Sequence, residues 1–223
     1  MRKEPLVTGE IYHIYNRGTD KRRIFSDMKD MKRFLTSIKE FNSIETIGSI
    51  RDFQREHRES NSRHPMSGIP DGLVEFVAFC LNPNHFHFLL RQKKDRGIEK
   101  FMQKLGNGYT KYFNARHSRS GVLFQGKFKS SHIDSNEYLL RASVYINLNN
   151  RFDGKSHLLS FSSWDEYMGL RSDPMCKVNI ILDQFKTSVA YKSFAKDALK
   201  DIIEKKSREK QEELQTSDVW KYE

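Results

Sequence analysis

The chain has 223 residues, 37% of them hydrophobic and 12% aromatic, enough to bury one sizeable core but not two large domains. Its 39 lysines and arginines against 29 acidic residues give a net charge of +10 and a pI near 9.5, a balance that favours a polyanionic partner. Cys80 and Cys176 are the only cysteines, which excludes a disulfide framework and a C-x-x-C zinc site, and no stretch approaches the ~18 apolar residues of a membrane span. The expectation is a soluble, cytoplasmic protein.

Glu10 to Asn16 is rich in β-formers and breaks at Arg17-Gly18-Thr19-Asp20, which predicts a first strand and a turn. Met28, Met31, Phe34, Leu35, Ile38 and Phe41 then recur at helical spacing, with Ser26 or Asp27 as the N-cap. Arg51 to Gly72 is polar and punctuated by Pro65, Gly68, Pro70 and Gly72, and reads as an insertion or long loop. Leu73 to Leu81 is a nearly unbroken apolar strand, and Asn82-Pro83-Asn84 turns it into a second strand from His85 to about Arg91. Gly97 precedes a helix through Ile98, Phe101, Met102, Leu105, Tyr109, Tyr112 and Phe113, whose polar face carries Lys100, Lys104 and Lys111. Beyond the glycine-punctuated Gly121 to Gly126, Lys127 to Ile133 reads as a fourth strand.

Asp134 or Ser135 caps a third helix, Asn136 to Asn149. The order βαββαβα fits an α+β fold: a ferredoxin-like antiparallel sheet with its helices on one face. Residues 1–150 are expected to form the main domain and 151–223 a C-terminal helical extension. That extension has helical patterns at Val178 to Phe185 and Val189 to Leu214, the latter ending in the charged run Glu204 to Glu213.

The chemistry centres on Asn82-Pro83-Asn84-His85-Phe86-His87. Strand alternation sends His85 and His87 to one face and Phe86 and Phe88 to the other, and two imidazoles on one face can hold a metal. The same pattern also suits two half-exposed histidines satisfied by water, so a third ligand has to decide. No acid follows the pair closely, which disfavours zinc hydrolases of the His-x-His-x-Asp type. Tyr145 and Asn149 stand four apart on the third helix and share its face. If that face lies over the histidine strand, the Asn149 amide oxygen completes a two-imidazole, one-oxygen site for a divalent ion such as Mg2+ or Mn2+, with the imidazoles tilting it toward softer metals. Tyr145 would then stand beside the metal as a nucleophile. Spacing alone does not choose it over Tyr109, Tyr112 or Tyr138.

The sequence resembles the single-tyrosine HUH transposases, most closely the IS200-like branch associated with repetitive extragenic palindromes (REP). The likeness rests on Tyr12-His13-Ile14-Tyr15-Asn16-Arg17-Gly18, the histidine motif, Gly121-Val122-Leu123-Phe124-Gln125-Gly126-Lys127-Phe128-Lys129, Tyr138-Leu139-Leu140, Tyr145-Ile146-Asn147-Leu148-Asn149 and Ser162-Ser163-Trp164-Asp165-Glu166-Tyr167. The resemblance implies that His85, His87 and Asn149 hold a divalent metal, Mg2+ or Mn2+, and that Tyr145 is the catalytic nucleophile. It further implies a DNA transposase that nicks hairpin-containing single-stranded DNA and transfers the strand through a 5′-phosphotyrosine.

Asn150 stands where the family usually has proline, and the 51–72 stretch is longer than the family pattern. Arg17, Lys127 and Lys129 beside the motifs, and Lys100, Lys104 and Lys111 on the second helix, are the expected DNA contacts. His13 is a residue supporting the site, one facing the DNA, or a strand histidine packed by Tyr12 and Tyr15. The alternatives are a hairpin-binding protein of the same fold without turnover and an HUH replication or conjugation initiator. A homodimer, with the tyrosine serving its own or its partner's histidines, is also left open.

Overall fold

The computed structural model describes residues 5–44, 72–151 and 159–219. The expected insertion therefore lies outside the described residues except for Gly72, as does His157.

Among the described residues, five strands form one antiparallel sheet: β1 (Ile11–Arg17), β2 (Val74–Asn82), β3 (His85–Gln92), β4 (Lys129–His132) and β5 (Phe161–Ser162), in the order β4-β1-β3-β2-β5. The first four follow the ferredoxin-like order, in which β3 is inserted between β1 and β2, the strands that helix α1 joins.

α1 (Met28–Phe41) begins where the Asp27 carboxylate accepts from the backbone N–H of Lys29 (2.8 Å) and Asp30 (3.1 Å), satisfying two otherwise unpaired donors. α2 (Gly97–Arg116) starts against Gln92, whose Oε1 accepts from the Ile98 N–H at 3.1 Å. Both helices bury their apolar stripes on one face of the sheet, where Phe34, Phe86, Phe88, Phe101 and Tyr109 are almost wholly inaccessible. A Cβ on Gly108 would lie 2.4 Å from the Phe41 ring, so α1 and α2 approach closely only because this position has no side chain. At their ends Arg116 bridges Asp27 (2.5 Å) and the buried Asp30.

The expectation of helices on one face holds for α1 and α2. The opposite face is also covered, by α3 (Asn136–Asn147), the short α4 (Trp164–Tyr167) and α5 (Asn179–Leu182), and the long α6 (Ser188–Val219). These share a second core with Val77, Ala78, Cys80 and Leu89. A β-bulge between Phe76 and Ala78 turns two successive β2 residues toward this core. The unbroken apolar run of β2 thus reflects a strand buried on both faces. Burial pushes the Cys80 thiol up to about 12 and the Cys176 thiol well above its usual range, so both are inert apolar fillers.

α3 is held in register by a buried polar network. Asn147 Nδ2 donates to the Tyr191 hydroxyl of α6 (3.1 Å), the Ser143 and Tyr191 hydroxyls are 3.0 Å apart, and Ser163 Oγ donates to Asn147 Oδ1 (2.5 Å) while accepting from the Phe79 N–H of β2 (2.8 Å). Ser135, not Asp134, caps α3 by accepting from the Tyr138 N–H at 3.2 Å. The helix ends at Asn147, and Asn149 opens a separate 3-10 turn, Asn149–Arg151. Asparagines at 147, 149 and 150 sustain a helix poorly.

Candidate active site

Strand alternation sets the site. Phe86, Phe88 and Leu90 enter the core beneath α1 and α2, so His85, His87 and Leu89 face α3. The sheet register then assigns their neighbours: Arg17 and Asn82 flank His85, while Tyr15 and Cys80 flank His87, with Lys129 next beyond Tyr15.

α3 brings Tyr145 onto these histidines. Its ring stands edge-on to His87, with 5.5 Å between centroids, and to His13 at 5.8 Å. The 3-10 turn brings the Asn149 side chain to His85, with Oδ1 3.2 Å from Nε2. Tyr109 is buried on the opposite face, where its hydroxyl donates to the Ile24 carbonyl at 2.6 Å. Tyr112 belongs to the same side of the sheet. Tyr138 lies on the outer part of α3, and burial raises its pKa.

The protonation pattern follows from the partners. His85 Nδ1 donates to Asn84 Oδ1 at 2.7 Å, which leaves the neutral ring's lone pair on Nε2. The Asn82 amide donates both to that nitrogen (3.0 Å) and to Asn149 Oδ1 (2.8 Å), with its own Oδ1 accepting from Ser160 Oγ at 3.1 Å. Two lone-pair atoms therefore converge on a single positive dipole end. Their 3.2 Å separation is close to the ~3.0 Å expected between adjacent ligands of an octahedral ion with bonds of ~2.1 Å. Among the described residues no group of three or more His, Cys, Asp and Glu side chains has metal-holding geometry; the third donor here is an amide. Two imidazoles and an amide oxygen fit a divalent ion of the Mn2+ type, and Mg2+ less closely.

His13 lies against the site: its Nε2 is 2.8 Å from His87 Nδ1. Burial lowers its pKa to about 4, so the ring is neutral at neutral pH. Asn82 and Ser160 were not legible as site residues, because Asn82 reads as a turn former before Pro83. The signal was the hairpin register, which sets Asn82 directly opposite His85.

Of the expected DNA contacts, Arg17 and Lys129 project from the histidine side of the sheet, and Arg17 Nε bonds the Gln125 side chain. The Gly121–Lys129 motif reaches this rim because the Gln125 N–H donates to the Arg17 carbonyl (2.8 Å) and Asn16 Nδ2 donates to the Gly126 carbonyl (3.2 Å). Lys127 is exposed just before β4. Lys100, Lys104 and Lys111 lie elsewhere: α2 packs on the phenylalanine face, where Lys104 Nζ donates to the Ser43 carbonyl (2.7 Å) and Lys100 Nζ to the Asp95 carbonyl (3.2 Å). A cleft of about 680 Å3, lined by Arg23, Ser26, Asp27, Met28, Lys29, Pro83 and Leu159, borders the other side of the Pro83 turn and includes none of the histidines.

Residues 53–149 match the family model described as transposase, IS200 like. This segment, less than half of the chain, is similar to the IS200-like transposases. This IS200-like segment contains His85, His87, Tyr145 and Asn149 and ends at Asn149, whereas β1 and His13 precede it. A solved structure of a REP-associated tyrosine transposase bound to a REP hairpin is similar in fold, with a TM-score of 0.50 and 13% identity over 80% of this chain and 92% of the other. No curated protein matches the sequence. Among the described residues no helix is long and apolar enough to cross a membrane.

Proposed function

We propose that the chain is a divalent-metal-dependent transposase that nicks hairpin-bearing single-stranded DNA and rejoins strands through a 5′-phosphotyrosine on Tyr145. The observation that carries this is the convergence of His85 Nε2 and Asn149 Oδ1, 3.2 Å apart, beneath a tyrosine whose ring abuts His87. Three separate elements, β3, α3 and the 3-10 turn, supply those groups. His85, His87 and Asn149 would hold the ion, which when bound supplies Lewis acidity toward a phosphoryl oxygen.

The remaining chemistry belongs to the chain. The Tyr145 oxygen loses its proton and attacks phosphorus; a tyrosyl–phosphate bond forms, the bond from phosphorus to the 3′-oxygen breaks, and that oxygen leaves as a 3′-hydroxyl after taking up a proton. A second 3′-hydroxyl reverses the sequence and frees Tyr145, so no nucleotide hydrolysis is needed. Arg17, Lys127 and Lys129 would neutralise backbone phosphates along the rim. The REP hairpin bound by the structural neighbour supports a folded palindromic end as the substrate class.

Incubation with hairpin-bearing single-stranded DNA and Mn2+ is expected to give a protein–DNA adduct that survives denaturation, and Tyr145→Phe to lose it. An adduct retained in Tyr145→Phe would overturn the assignment of the nucleophile. Salt-sensitive hairpin binding without cleavage under any divalent ion would instead favour a binding protein of the same fold.

A further inference from the structure

β1 brings a third imidazole to the site that the proposed chemistry does not use. Tyr15 is directly opposite His87 and His13 directly opposite Leu89, so His13 lies diagonally across from His87 on the same face. The two rings lie edge to edge, 27° from coplanar with centroids 5.1 Å apart, and Tyr15 packs against both, at 5.0 Å from His13 and 5.7 Å from His87.

The 2.8 Å contact between His13 Nε2 and His87 Nδ1 holds one proton, and where it sits decides what His87 can do. A neutral imidazole has one N–H and one lone pair. If His13 donates, His87 spends its lone pair on this contact and carries hydrogen on Nε2, which then cannot ligate. If His87 donates, its Nε2 keeps the lone pair, on the ring edge away from His13. His85 already follows the second pattern, with its Nδ1 proton given to Asn84 Oδ1.

We propose that His13 is a positioning residue whose Nε2 accepts the His87 Nδ1 proton, fixing His87 as the tautomer and ring orientation that present Nε2 to a metal. This rests on the metal-site reading of His87. It assigns to a second histidine the part that a carboxylate or backbone carbonyl takes behind many metal-binding imidazoles.

The test joins two measurements on the full chain. Long-range 1H–15N correlation on metal-free protein reports the His87 tautomer, and calorimetric titration with Mn2+ alone reports affinity. The expected results are Nδ1–H on His87 in the parent protein and loss of that single tautomer in His13→Leu. Mn2+ affinity should fall in His13→Leu by about ten- to a hundredfold. His13→Gln, whose Oε1 can accept the same proton, should restore both to within a few-fold. Nε2–H on His87 in the parent protein would overturn the proposal, as would His13→Leu with unchanged tautomer and affinity, or His13→Gln no better than His13→Leu. If the parent protein binds no Mn2+, the metal reading falls by itself, and the tautomer measurement still decides whether His13 orients His87.

Discussion

The two faces of the sheet are built on opposite terms, although β3 belongs to both. Beneath α1 and α2, Phe34 packs against Phe86 (5.6 Å), Phe88 (6.4 Å) and Tyr109 (4.7 Å between centroids) in an apolar, aromatic layer. Beneath α3 the residues one step along the same strand are His85 and His87, and the helix above them is pinned by Ser143, Asn147, Tyr191 and Ser163. Apolar packing is non-directional and tolerates small shifts, whereas a hydrogen-bonded network fixes one register. One face therefore supplies cohesion and the other supplies aim.

That division can be broken experimentally. Phe88→Ala should cost ~3–5 kcal/mol of unfolding free energy, by loss of buried surface and creation of a cavity. His85→Ala, one face over, should abolish Mn2+ binding while moving stability by about 1 kcal/mol or less. Urea denaturation with parallel metal titration measures both, and a large stability loss in His85→Ala would show that the faces are not separable.

Tyr191→Phe should cost ~1–3 kcal/mol, because it removes a hydroxyl that serves two buried partners. It should also slow adduct formation without weakening Mn2+ binding. Single-turnover assays at saturating Mn2+ would show this, and an unchanged rate would mean that the network stabilises α3 without aiming Tyr145.

The smallest effect is electrostatic. Lys129→Ala should lower the slope of log affinity for single-stranded DNA against log salt by about 0.7, one phosphate contact. Lys111→Ala, on the phenylalanine side, should leave it unchanged. Equal slopes for the two variants would place the DNA path elsewhere.

The elements legible in the sequence were those with long, regular patterns. The 3.6-residue stripe from Met31 to Phe41 and the alternation from His85 to Phe88 gave α1 and β3 to within a residue. What escaped was short or set by tertiary contacts. β5 is two residues, Phe161 and Ser162, paired to β2, too brief for any period to register. The switch from helix to 3-10 turn before Asn149, and the covering of the second face by α6, depend on contacts between segments distant in the chain.

For the site, alternation alone put both histidines on one face, but the roles of Asn82 and His13 emerge only once strands are placed side by side. The lysines of α2 show the converse: a polar helical stripe indicates which side of a helix meets solvent, and nothing about which side of the sheet that helix covers.

The surroundings of the candidate metal position have a property that no single contact displays. His85, Asn149, Asn82 and Asn84 are neutral as hydrogen-bonded here, and burial keeps His13 neutral, so a divalent ion placed among these groups and His87 would keep its full double charge, with no carboxylate in that set to balance it. The missing counter-charge would arrive with the substrate as the phosphodiester itself. Ion and DNA would then each tighten the binding of the other by the same factor, and the site would gather its metal most firmly when there is a strand to cut.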